Sequence, residues 1–98
     1  MVNWTDHALS QLHHLHDYIA QDSSLYAKRV SDSIVRKTIG LDMLPYKGRK
    51  VAELNEEFVR ELEISSWRII YEVKRDDIDI LAVIHKRQDL QVGDIPRK

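Results

Sequence analysis

The side chains able to do chemistry in this chain are a run of histidines, scattered carboxylates, a basic loop and cations at strand ends. The histidines stand out first, in LHHLHDYI at 12–19. His13 and His16 lie one helical turn apart, His14 points elsewhere and His7 sits further back. A helical zinc site takes His at i and i+4, a third ligand and often a glutamate base. The spacing here is i, i+3, with no carboxylate at the matching position. The pattern is that of a solvated helix face, and no metal or cofactor is expected. The loop KGRK at 47–50 lacks the phosphate-loop pattern and reads as a solvated turn or an anion contact. There is no cysteine and no serine in a nucleophile elbow, so neither kind of covalent catalysis has support. Glu56, Glu57, Glu61 and Glu63 flank Phe58, Leu62 and Ile64 in ordinary surface alternation.

The cations of the second half are more informative. SSWRIIYEV at 65–73 sets Arg68 inside an apolar strand. Alternation puts Trp67, Ile69, Tyr71 and Val73 on one face and Arg68, Ile70 and Glu72 on the other. An unpaired guanidinium is costly to bury. His85, Lys86 and Arg87 end the next strand, and antiparallel pairing would set them beside Arg68. Such a cluster suits a phosphate or a carboxylate-bearing partner. The alternative is a pairing of Arg68 with Glu61 or Glu63 across the strands, and spacing does not separate the two.

These residues must be carried by two kinds of element. Thr5 or Asp6 caps a first helix in which Ala8, Leu12, Leu15 and Ile19 recur at helical spacing. QDSS at 21–24 breaks it, and a second helix continues through Ala27, Val30, Ile34 and Leu41 to Leu44, before Pro45. VNW at 2–4 suits a short edge strand. Runs at 58–64, 67–74 and 78–85 read as an antiparallel meander, and VAEL as a shorter extended piece. The tail QVGDIPRK, 91–98, reads as loose. In the final strand Ile78, Ile80, Ala82 and Ile84 fall on one face, Leu81 and Val83 on the other. Two helices cover only one face of a sheet, so the second is expected to form an apolar groove filled by another chain or by dimerisation. The competing expectation is a sheet covered by its own tail.

Ninety-eight residues suit one domain, 1–98, and the formal net charge of −1 opposes a strong nucleic-acid binder. Residues 1–45 hold four Lys/Arg against five Asp/Glu, and 46–98 hold eleven of each, so charge is dense but balanced in the second half. No secretion signal or membrane-spanning run is present, and a cytoplasmic location is expected.

The order of helical hairpin, GRKVAEL (48–54), VREL (59–62), WRIIYEV (67–73) and ILAVIHKRQDL (80–90) resembles the RelE/ParE toxin superfamily of type II toxin–antitoxin modules, over about residues 2–90. The G-R-x-x-x-E-L, R-E-L and H-x-R segments look most like the ParE or plasmid-stabilisation branch. The resemblance implies an α+β fold: an N-terminal antiparallel helical hairpin on one face of a curved, mainly antiparallel sheet of three to four strands. It implies a growth-inhibiting toxin with a cognate antitoxin, as a homodimer or a toxin–antitoxin hetero-oligomer. On the ParE side the target is DNA gyrase and no catalytic residue is needed. On the RelE side the activity is ribosome-dependent mRNA cleavage, for which Arg60, Arg68, Arg87 and His85 would be the catalytic candidates. Val59, Glu61 and Glu63 stand where that branch places lysines, and no tyrosine follows Tyr71, so the ParE side fits better. Arg68, Ile70, Leu81, Val83, His85, Lys86 and Arg87 are the residues expected to meet antitoxin or target.

Overall fold

A computed structural model describes residues 1–96, the side chain of Val92 apart. Its elements are β1 (Val2–Trp4), α1 (Asp6–Ala20), α2 (Ser24–Thr38), β2 (Arg49–Lys50), β3 (Val59–Ile64), β4 (Trp67–Val73) and β5 (Ile78–His85). A single 3-10 turn follows at Val92–Asp94. The helix starts are set by side-chain caps, as the sequence predicts. The Ala8 amide donates to the Thr5 hydroxyl at 3.2 Å and the Tyr26 amide to the Ser23 hydroxyl at 3.1 Å. The second helix is shorter than expected, ending at Thr38 instead of running to Leu44. Gly40 takes a φ of +85°, and the turns that follow swing Leu41 back into the core, where it is fully buried. Leu41 therefore continues the apolar periodicity from outside the helix.

The sheet has five strands, not three or four, in the order β1-β5-β4-β3-β2, and it is open with β1 and β2 as edges. β1 pairs parallel with β5, and the remaining pairs are antiparallel. The second strand falls on Arg49–Lys50, while residues 52–54, read from sequence as extended, form turns. Ser65, between β3 and β4, takes a φ of 54°, the turn that lets Ile64 pair with Trp67.

One irregularity decides which side chains face where. Ile70 pairs with Ala82 but Tyr71 with Ile80, leaving Leu81 unopposed as a bulge. The extra residue inverts the parity of the strand beyond it. Ile78, Ile80 and Val83 therefore face the helices, whereas Leu81, Ala82 and Ile84 face away. β1 ends at its pair with Ile80, so the Val83 amide has no strand partner. Gln11 on α1 supplies one, accepting from that amide at 2.7 Å.

Two cores result. Ala8, Leu12, Leu15, Ile34 and Leu41 pack with Leu62, Ile69, Tyr71, Ile78, Ile80 and Val83 beneath the helices. On the other face Val51, Val59, Ile70, Leu81, Ala82 and Ile84 pack with Leu90 and Ile95. The expected open groove is thus closed by the chain itself. Ile70, Leu81 and Val83, predicted to meet a partner, are at most 3% exposed. Residues 91–96 of the supposedly loose tail carry the 3-10 turn and the buried Ile95; 97–98 lie outside the described residues.

Candidate functional site

Arg68 sits on the second face, at the pair Arg68↔Ile84, and only 6% of it reaches solvent. Its Nε donates to Glu61 at 2.5 Å. Nη1 and Nη2 donate to the two carboxylate oxygens of Glu53 at 2.8 and 2.9 Å, a bidentate pair. Nη1 also reaches the Gln88 carbonyl at 3.3 Å. Glu53 in turn accepts from the Leu90 amide at 3.3 Å. The guanidinium thereby ties the turn after β2 and the tail after β5 to the sheet. Hydrogen bonding from Arg68 holds the Glu53 carboxyl down at about 2, and the same contact raises the arginine further above its usual range. Glu61 shares its second oxygen with Arg49 Nε at 3.2 Å, and Arg49 passes on to Glu63 at 2.7 Å. Of the two partners expected for Arg68, Glu61 is the one found. Glu63 belongs to Arg49.

Arg60 stands on the opposite face. Its register pair is Tyr71, its guanidinium donates to Glu57 and lies 4.9 Å from the centre of the Tyr46 ring. Gly48 makes this corner possible. Its amide donates to the Tyr71 hydroxyl at 2.9 Å, that hydroxyl donates to the Pro45 carbonyl at 2.8 Å, and a Cβ on Gly48 would overlap the Glu61 carbonyl. Burial pushes the Tyr71 phenol up.

His85 pairs with Trp67, also on the helix face, with its ring 5.3 Å from the indole in an edge-on arrangement. Its Nδ1 accepts from the Arg87 amide at 3.2 Å. Lys86 and Arg87 are exposed, and among the described residues neither side chain forms an ion pair. The rungs of Arg60 and His85 are four β4 residues apart, roughly 13 Å along a strand.

The four cations proposed for phosphate chemistry do not converge. Arg68 is on one face with every nitrogen engaged by carboxylate or carbonyl. Arg60 and His85 are on the other face at opposite ends. Two carboxylates against Arg68 also repel a phosphate. The histidines of α1 build no metal site either: among the described residues no group of three or more His, Asp or Glu could hold an ion. Sequence reasoning missed Glu53 as the main partner of Arg68, although that glutamate is the acid of GRKVAEL and was legible as a motif residue.

The chain is matched over residues 2–90 by the family described as the ParE toxin of the type II toxin–antitoxin system parDE. It belongs to that family. A solved structure titled "Chromosomal ParDE TA system from P. aeruginosa" shares the fold with a TM-score of 0.70. Its identity is 23%, and the alignment covers 86% of this chain and 92% of that one. No curated protein sequence matches.

Proposed function

We infer that this chain is the toxin of a type II toxin–antitoxin pair that inhibits growth by binding DNA gyrase, not by cutting RNA. The observation carrying this reading is the family match from residue 2 to 90 combined with the locked state of Arg68. An arginine that gives four of its five N–H donors to Glu53, Glu61 and the Gln88 carbonyl, and faces two carboxylates, is poorly placed to hold a scissile phosphate. A cognate antitoxin is the neutralising partner, in keeping with the type II module of the family, and the working complex is a toxin–antitoxin hetero-oligomer. The protein acts in the cytoplasm as one domain; among the described residues no helix is long and apolar enough to cross a membrane.

His85, Lys86 and Arg87 are the contact residues this reading keeps. Arg68, Ile70, Leu81 and Val83 support that surface from within. The test is supercoiling by purified gyrase with rising amounts of the protein. Inhibition, relieved by the antitoxin from the adjacent gene, is the expected result. Codon-associated message cleavage on translating ribosomes with gyrase unaffected would replace this reading with the ribonuclease one.

A further inference from the structure

The loop from α2 to β2 keeps apolar side chains on the outside of the molecule. Met43 is 81% exposed and Leu44 64%, with Tyr46 at 46% and Phe58, just before β3, at 56%. Large apolar residues gathered in this way mark a contact surface. The exposure is not that of a slack loop. The Lys47 amide donates to the Leu44 carbonyl at 3.0 Å, and the Leu44 amide to the carbonyl of the buried Leu41 at 3.1 Å. The Tyr71 hydroxyl holds the Pro45 carbonyl, and the Arg60 guanidinium lies over the Tyr46 ring. Across the sheet edge, the Val73 amide donates to the Phe58 carbonyl at 2.7 Å. These side chains are presented by a fixed backbone, so little loop entropy is left to lose on contact.

Pro45 and Tyr46 form a wall shared by two clefts. One, of about 640 Å³, is lined by Tyr46, Phe58, Val73 and Ile78 and bounded by the β4–β5 turn at 74–77. The other, of about 440 Å³, lies against Met43, Leu44 and Lys47. An apolar knob, Met43–Leu44, therefore stands beside an apolar hole on the same chain. The charges divide in the same way. Lys47, at the knob, forms no ion pair among the described residues. At the hole, Lys74 is engaged by Asp79, and Asp42 and Asp77 by the Met1 ammonium. Arg75 and Asp76 remain, and Asp76 has the sign to meet Lys47.

We propose that this surface pairs with a second copy of the chain about a two-fold axis. Each Met43–Leu44 knob enters the Tyr46–Phe58 cleft of the other copy, and each Lys47 meets the other copy's Asp76. A two-fold interface has to be self-complementary, with one patch supplying both halves of every contact. Knob, hole and opposite unpaired charges on one surface meet that requirement. A nucleic acid is the poorer occupant, because Asp42, Asp76 and Asp77 all line the larger cleft and repel phosphate. The two clefts engage about half of the 20–30 residues a side found in a standard interface, so a dissociation constant on the order of micromolar is expected. This pairing is independent of the toxin reading, since self-association and gyrase inhibition are scored separately.

The test is sedimentation velocity of the whole chain through the micromolar range. The wild type passes from monomer to dimer as concentration rises, and Leu44→Glu stays a monomer. Lys47→Glu and Asp76→Lys each weaken association about tenfold or more. Mixing these two single variants restores it, because both charge contacts of the mixed pair then join opposite signs. All three side chains are exposed, and recovery in the mixture shows that both charge variants are folded. A wild type that stays monomeric throughout, a Leu44→Glu dimer as tight as wild type, or a mixture no tighter than its components overturns the proposal. So does a monomeric chain whose knob instead binds vesicles of anionic lipid and loses that binding in Leu44→Glu.

Discussion

Arg68 and Glu53 hold together parts of the chain that no secondary-structure ladder joins. Removing the guanidinium would leave Glu61, 4% exposed, with a carboxylate short of its closest donor. Breaking a buried pair from one side costs about 3–5 kcal/mol. Arg68→Ala should therefore lower the urea midpoint by that equivalent, and a stability unchanged from wild type would contradict the role. The same pair has a pH signature. Glu53 titrates at about 2 in the folded protein against 4.5 as its ordinary value. A depressed carboxyl stabilises fully above the unfolded value, and the contribution is lost as pH falls from about 4.5 towards 2. At neutral pH it amounts to no more than about 3 kcal/mol, at 1.36 kcal/mol per pH unit. Urea melts between pH 7 and 3 should show Glu53→Gln with a flatter acid limb than wild type; parallel curves would refute the assignment. Legibility at this scale was partial. The cost of a buried arginine announced that Arg68 needed a partner, and strand register could supply Glu61. Glu53 lies in a turn, so no periodicity pointed to it.

At the scale of elements, what sequence periodicity could not supply was the covering of the second face. The helix caps at Thr5 and Ser23 and all three long strands follow from local residue types. The bulge at Leu81 does not, because a run of six apolar residues from Ile78 to Ile84 broken only by Asp79 offers no alternation to register against. A strict period of two puts Val83 on the wrong face. The tail, 91–98, misled for a different reason: it is polar except at a few positions, and one of those, Ile95, is buried together with Leu90 just before it. Truncating a buried leucine or isoleucine to alanine costs about 2–5 kcal/mol, depending on how far the site collapses. Leu90→Ala and Ile95→Ala should each fall in that range and increase binding of a hydrophobic dye as the second face opens. Native stability in both variants would mean that the tail is not the cover.

For the whole molecule, the consequence is a division of surfaces. The second face is spent on folding, and the network Glu53–Arg68–Glu61–Arg49–Glu63, three carboxylates to two guanidiniums, engages both of its arginines. Lys86 and Arg87, exposed and without an ion pair among the described residues, follow His85 at the end of β5, whose register partner is Trp67. The engagement of Arg68 by Glu53 and Glu61 is the physical ground for the proposal that this ParE-family chain acts by binding. Its formal net charge of −1 agrees, since a ribosomal RNA ligand would call for a basic surface. The most direct measurement is plasmid supercoiling by purified gyrase in the presence of this protein. Dose-dependent inhibition, with message on translating ribosomes left intact, is the predicted result. Full supercoiling at excess protein, with message cut on translating ribosomes, would contradict it.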